Sequence, residues 1–202
     1  MWPSDVAGPP AAGPLLAGAR RNGWLIVCHP AFRVPLLQLG AEVARLRAQH
    51  PDGWEQSPKA KLLKRILDMI LREVPANPAS PEYEQGNTLG ADARGWRRAK
   101  FLGRLRLFFR FDSGAKVVVY AWLNDENTLR KAGASSDPYA VFRRMLVSGD
   151  PPHGWDKLLE ACRTPLEPSS QAALGDLLGG LTTLPESSPA GTPAPRRSKR
   201  KR

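Results

Sequence analysis

Residues 104–111 alternate without a break. Leu105, Leu107, Phe109 and Phe111 fall on one side of an extended chain, and Arg104, Arg106, Phe108 and Arg110 on the other. A helix would scatter these side chains around its axis, so the run predicts a strand. Two further runs flank it. In residues 96–101, Trp96, Arg98 and Lys100 share a face opposite Arg97, Ala99 and Phe101, and residues 116–123 are almost wholly apolar. Gly103 breaks the first run from the second, and Asp112-Ser113-Gly114 turns the second into the third. The expectation is a three-stranded meander. If its first two strands pair around Gly103, one sheet face gathers Arg98, Lys100, Arg104, Arg106 and Arg110, with Trp96 and Phe108 among them. The other face is then left to pack on helices.

What surrounds the meander sets the fold class. Residues 23–28 read as a short apolar strand bounded by Asn22-Gly23 and Pro30. Leu36, Leu39, Val43 and Leu46 recur at helical spacing, and His50-Pro51-Asp52-Gly53 ends that helix. The next helix has Ser57 as its cap and Pro58 in its first turn. It carries Leu62, Leu63, Ile66, Leu67, Ile70 and Val74 on one side and Lys59, Lys61, Lys64, Arg65 and Arg72 on the other. A Pro- and Gly-rich connection fills residues 75–95. After the meander, one helix starts at Asp137-Pro138, shows Val141, Phe142, Met145 and Leu146, and stops at Gly149. Another shows Trp155, Leu158, Leu159 and Cys162. This order predicts an α+β domain, with a small, mainly antiparallel sheet, two N-terminal helices packed on one face, and C-terminal helices.

Proline marks the ends of that domain. Four of the 20 prolines lie in residues 1–21 and six in residues 163–202, where Ala, Gly and Ser also abound. Such flanks lack the side chains for a core. Residues 1–21 are therefore expected to be a disordered extension, 22–162 the folded domain, and 163–202 a mostly disordered basic tail. Within the tail, residues 171–178 carry the pattern of one short helix.

Charge narrows the partners. Thirty Lys and Arg stand against 19 Asp and Glu, a net charge of +11. The last seven residues hold six of those charges, which leaves +5 on the rest of the chain. A body that basic attracts polyanions, nucleic acid first. The terminal cluster reads as a solvated end or a nonspecific RNA-binding arm. Cys28 and Cys162 are isolated from each other and from metal-ligand spacings, which fits buried thiols in a reducing compartment. Pro3, Pro9, Pro10 and Pro14 interrupt any apolar stretch near the start, and residues 117–123 are too few to span a bilayer. A soluble cytoplasmic protein, with no membrane partner, is expected.

Familiar catalytic patterns are absent. His29, His50 and His153 are scattered, and His29, just after the first strand, reads as a loop or core histidine. There is no HExxH, no phosphate-cradling Gly-rich loop and no carboxylate cluster at metal spacing, so no metal or organic cofactor is expected. Asp125 and Glu126 first read as capping residues after the third strand. Clustered cations with aromatics between them instead suit single-stranded RNA, because guanidinium forks grip phosphates and aromatic faces stack bases. The bland alternative is a solvent-facing sheet that is merely Arg-rich.

Several blocks are more specific than composition. They are Asn22-Gly23-Trp24, His29-Pro30-Ala31-Phe32, Asn77-Pro78-Ala79-Ser80-Pro81, Trp96-Arg97-Arg98-Ala99-Lys100-Phe101 and Arg104-Leu105-Arg106-Leu107-Phe108-Phe109-Arg110. To these are added Trp122-Leu123-Asn124-Asp125-Glu126-Asn127-Thr128-Leu129-Arg130, Asp137-Pro138-Tyr139-Ala140-Val141-Phe142 and Pro151-Pro152. In order and spacing these resemble the YhaV family of type II toxins, within the RelE superfamily, across nearly all of residues 22–160. The resemblance implies a RelE-like fold and ribosome-associated endonucleolytic cleavage of mRNA. It also implies neutralisation by a PrlF-type antitoxin, with operator DNA contacted only through the toxin–antitoxin complex.

RelE-like chemistry, as the resemblance implies it, sends a ribose 2′-OH onto the adjacent phosphorus and leaves a 2′,3′-cyclic phosphate. Such a site needs a base, an acid and cations around the developing charge. By the family pattern Arg98 and Lys100 occupy one strand, Arg106 the next, and Tyr139 lies at the C-terminal helix. Arginine does not surrender a proton, so Arg98 and Arg106 are expected to hold phosphate. Lys100, crowded by cations, and Glu126 are the rival bases. Tyr139 donates to the leaving oxygen or stacks a base. Trp96, Arg104, Arg110, Arg130 and Lys131 are expected to bind RNA around them. Two other readings use the same face without cleavage: a nonenzymatic RNA- or ribosome-binding module, and a degenerate toxin kept as an antitoxin's partner and co-regulator.

Overall fold

The computed structural model describes residues 19–86 and 88–179. The predicted N-terminal extension up to residue 18 and the basic cluster at 196–202 lie outside them. The sheet has five strands in the order β1-β2-β5-β4-β3. They are β1 (Ala19–Arg21), β2 (Trp24–Cys28), β3 (Arg97–Phe101), β4 (Leu105–Asp112) and β5 (Val117–Leu123). β3, β4 and β5 form the expected antiparallel meander. β2 runs parallel to β5, from Leu25 opposite Val117 to Cys28 opposite Tyr120. The sheet is therefore mixed, with one parallel pairing among its four.

The expected domain start at residue 22 is corrected. Asn22 and Gly23 both take positive φ, 49° and 80°, the geometry of a tight hairpin turn. They fold Ala19–Arg21 back onto β2, with Ala19 opposite Ile26. So residues 19–21 are a strand and belong to the sheet.

The chain then leaves β2 through α1 (Pro30–Gln49). His29 caps it, its Nδ1 accepting the Ala31 N–H at 3.2 Å, and Pro30 occupies the first turn, where no amide hydrogen is needed. α2 (Pro58–Asp68) starts on Ser57, whose Oγ accepts the Ala60 N–H at 3.2 Å. It continues through a π-helical turn, Met69–Glu73, into a last short piece, α3 (Val74–Ala76). Pro75 lacks an amide hydrogen and would press its ring on the Leu71 carbonyl in a regular helix, and the widened turn precedes it directly. Three helices follow the meander: α4 (Pro138–Ser148), α5 (Trp155–Cys162) and α6 (Pro168–Gly179).

Helices cover both faces of the sheet. On one face, α1, α2 and α6 bury Phe32, Leu36, Leu63, Ile66, Ile70 and Leu174 against Ile26, Leu107, Phe109, Val118 and Tyr120. The Tyr120 hydroxyl donates to the Ile70 carbonyl at 2.8 Å, so this buried polar group is satisfied. On the other face, Tyr139, Phe142, Leu146 and Leu158 pack on Trp96, Phe108, Val119 and Ala121. The face predicted to lie open with its arginines thus carries a second core.

The tail is corrected as well. α6 covers the short helix expected at 171–178, but it is an integral part of the first core, with Leu174 and Leu178 buried. Arg21 of β1 donates to the Leu178 carbonyl at 2.5 Å. At Gly40 of α1 a Cβ would stand 2.9 Å from a Leu177 methyl, so glycine lets the two helices approach closely.

Candidate active site

The site grows from the pairing of β3 with β4. Arg98 lies opposite Phe108, and Lys100 opposite Arg106. Residues directly opposite in an antiparallel pair project to the same face, so Arg98, Lys100 and Arg106 share the face covered by α4. A bulge between Phe108 and Phe109 shifts the register against β5. It puts both Ala121 and Trp122 on that face, so Trp122 stacks on Phe108 at 5.7 Å.

α4 delivers the tyrosine. Asp137 caps the helix by accepting the Tyr139 N–H at 3.1 Å. Tyr139 meets Phe108 edge-on, with centroids 5.6 Å apart. The Arg98 guanidinium lies 5.9 Å from its ring centre and that of Arg130 5.2 Å. Arg130 is ion-paired with Asp137, whose Oδ2 also accepts the Lys131 N–H at 3.0 Å. Arg98, Lys100, Arg106, Arg130 and Tyr139 thus converge, as anticipated for Arg98, Lys100, Arg106 and Tyr139.

The two strand arginines are held but incompletely used. Arg98 and Arg106 are each 7% exposed. Arg98 donates Nη2 to the Glu84 carbonyl at 3.2 Å. Arg106 donates Nη1 to the Gly103 and Leu105 carbonyls at 2.9 and 2.7 Å. Nε and Nη1 of Arg98 and Nε of Arg106 are buried without a partner. Burying a cationic donor that way is costly. The arrangement suits an anion, which offers acceptors to several donors at once.

Charge crowding acts on the one amine. The Arg98 guanidinium above all, then burial, Arg106 and Arg130, hold the Lys100 amine below its ordinary value. Arg98 is itself lowered, mainly by burial, while the Tyr139 phenol opposes the shift; an arginine stays protonated regardless. Lys100 is exposed at the rim and free to move onto a ligand.

Other expectations are corrected. Trp96, expected to stack bases, is 1% exposed. It packs edge-on against Phe142 at 5.0 Å in the second core. Arg110 lies on the same sheet face but farther along β4. There it sits 5.6 Å from the rings of Trp96 and Trp155 and donates to the His153 carbonyl. Arg104 precedes β4, is exposed, and lines a different groove of about 490 Å3 that also holds Glu126, Leu36 and Leu102. Glu126, the rival base, borders that apolar groove, lined by residues of α1, α2 and the sheet, and is not among the charges that act on Arg98 or Lys100. Lys131 is exposed and joins the site only through its backbone. Asp125 does cap, accepting from Asn127 and Thr128 at 3.0 Å each.

Two contributors carry no role in the site from sequence. Asn124, 2% exposed, accepts the Arg106 N–H at 2.5 Å and donates to the Arg104 and Thr128 carbonyls at 3.3 and 2.7 Å. It ties the start of β4 to the loop that carries Arg130. Asp137 reads in sequence as a cap alone. The signal for Asn124 is its place in the Trp-Leu-Asn-Asp block, directly after a strand.

His29 is a core histidine. It is 1% exposed, and its Nε2 lies 3.3 Å from Asp150. Cys28 and Cys162 are free and buried, and burial pushes both thiols up to about 12. Among the described residues no three His, Cys, Asp or Glu side chains gather as metal ligands. No helix among them is long and apolar enough to cross a membrane.

Comparison with known proteins bears on this site. The YhaV toxin family, described as a toxin with endonuclease activity, of toxin-antitoxin system, matches residues 26–163. The protein named Ribonuclease toxin YhaV from Escherichia coli (strain K12) is 40% identical over 141 residues, 69% of this chain and 92% of that protein. Toxin YhaV from Escherichia coli O6:H1 (strain CFT073) is 40% identical over 143 residues, 70% of this chain and 93% of that one. No solved structure matches the chain significantly.

Proposed function

The chain belongs to the YhaV toxin family, and from that premise we propose that it is an endoribonuclease that cleaves mRNA through its own ribose 2′-OH, with Lys100 as base. One observation carries the reading. Two buried arginines with unpaired N–H groups, a lysine lowered by cations and a tyrosine meet on one sheet face.

The roles follow from charge and position. Arg98 and Arg106 grip the scissile phosphate through the donors that no protein group uses, and stabilise the dianionic phosphorane. Arg130, oriented by Asp137, adds a third cation. Lys100 in its neutral form takes the 2′-OH proton. The 2′-oxygen bonds to phosphorus as the P–O5′ bond breaks, and Tyr139 protonates the departing 5′-oxygen. The products are a 2′,3′-cyclic phosphate and a 5′-OH, and solvent restores both groups. The guanidiniums supply the charge stabilisation for which other nucleases use a metal ion.

The finer family expectations belong to the same proposal. The meander with helices on both faces supports a RelE-like reading of the fold. Cleavage on the ribosome in the cytoplasm, a PrlF-type antitoxin, and operator DNA reached only through that complex extend the reading. The basic body and the open rim at Lys100 favour a polyanionic substrate. End analysis of the cleaved RNA tests the chemistry. Cyclic phosphate and 5′-OH ends are expected, and 5′-phosphate ends would rule the 2′-OH route out.

A further inference from the structure

A groove of about 590 Å3 opens beside the cationic cluster. Arg130 and Tyr139 line both, so the groove begins where the cluster ends. Its long wall is the outward face of α4. Helical periodicity sorts that helix: Phe142 and Leu146 enter the core, Tyr139 is buried at the border between core and groove, and Arg143 and Val147 step outward along the row that Tyr139 begins, with Ala140, Arg144 and Ser148 along the next. The opposite wall comes from Thr88 and the Gly133-Ala134 turn.

The chemistry of the walls selects a polyanion. Arg130, Arg143 and Arg144 face the groove, against one carboxylate, Asp137. Asp137 is buried and already committed to Arg130 and to the backbone of Lys131 and Tyr139. Arg144 is anchored by a 2.9 Å bond to the Ser135 carbonyl. Arg143 is exposed, and its side chain makes no hydrogen bond or ion pair among the described residues. It stands four residues, about 6 Å of rise, beyond Tyr139. Val147, 83% exposed, follows one turn later and offers apolar contact to a base. Three arginines stand over small apolar patches from Ala134, Ala140 and Val147, the pairing of cations with flat apolar contact that suits a nucleic-acid strand.

We propose that this groove is the subsite for the RNA strand adjoining the scissile phosphate, with Arg143 gripping the neighbouring phosphate. The inference rests on the ribonuclease reading and adds the direction in which the strand leaves the site. Arg143 is a binding residue, distant from the reacting bond, so it sets affinity for a strand long enough to reach it. A substrate with a single phosphate does not feel it.

The test separates binding from cleavage. A fluorescent RNA of about eight nucleotides, O-methylated at every 2′ position to block cleavage, is titrated by anisotropy into the full chain, R143A and R143E. R143A is expected to bind about tenfold more weakly and R143E more weakly still. The slope of log affinity against log salt should fall by roughly 0.7 for each phosphate that the variant no longer grips. Equal octamer affinities and salt slopes in parent and variants would overturn the subsite. So would unchanged RNA affinity in an R143E that escapes neutralisation by antitoxin, because that result assigns the groove to a protein partner. A parent that binds the octamer through Arg143 but cleaves no RNA would sink the ribonuclease reading and keep the subsite.

Discussion

Lys100 stands directly across from Arg106 in the β3–β4 pairing, so an amine and a guanidinium share one sheet face with no carboxylate between them. Asp137, which closes the cluster at α4, is committed to Arg130. The amine therefore loses its proton more readily than an ordinary lysine, chiefly because of Arg98.

The pH dependence of cleavage follows from that. Lys100 works deprotonated, so kcat should rise with pH along a limb whose midpoint lies below the ordinary 10.5. Arg98→Ala removes the largest cause of the shift, so whatever activity remains should have its limb at higher pH. Lys100→Arg keeps the charge but removes the base, and the limb should vanish with most of kcat. A pH–rate profile under saturating RNA reads both. An unchanged limb in Lys100→Arg would remove Lys100 as the base.

Asp137 joins two jobs, capping α4 and pairing with Arg130. Asp137→Asn keeps much of the cap and loses the charge, whereas Asp137→Ala loses both. The Ala variant should be destabilised by about 2 kcal/mol, of which about 1 is the cap. Activity should fall in both, because Arg130 loses its anchor. Urea titration separates the effects: equal stability of Ala and Asn variants would contradict the capping role.

Trp96 belongs to the second core. Trp96→Ala should cost about 3–5 kcal/mol of stability, while the variant that remains folded should bind RNA with near-parental affinity. A stable Trp96→Ala protein with much weakened RNA binding would return Trp96 to the interface.

His29 makes stability pH-dependent. Burial above all lowers its pKa from 6.5, against the pull of Asp150. The unfolded chain then binds the proton more readily than the native one. Stability is full above 6.5 and declines as pH falls from there toward the lowered native value. Denaturation across that window should show a steeper loss for the parent than for His29→Gln. Parallel curves would show that another group sets the slope.

The meander, both hairpin turns and the caps at Ser57 and Asp137 were legible because period, Gly and cap chemistry are local signals. The converging Arg98, Lys100 and Arg106 followed from alternation alone, and Tyr139 from the family blocks. What covers each face was not legible. Arginine reads as a surface residue, yet Arg98 and Arg106 are buried by donating to the carbonyls of Glu84, Gly103 and Leu105. That let Trp96 and Phe108 look like an exposed stacking platform when α4 in fact buries them. The parallel pairing of β2 with β5 joins segments nearly a hundred residues apart in sequence, which no local pattern encodes. Glu126 read as a rival base, yet it lines the groove with Leu36 and Leu102, because a place in the chain says little about which side of a sheet a loop meets.

The central claim is that Arg98 and Arg106 hold the phosphate that is cut. The full chain, Arg98→Ala and Arg106→Ala are expressed from a tight promoter in bacteria, their folding checked by thermal melting, and RNA ends are mapped. The account predicts arrested growth and new mRNA ends with the parent, and neither with the two folded variants. A folded Arg98→Ala protein that still cuts at the same positions, or a parent that yields no new ends, would contradict it.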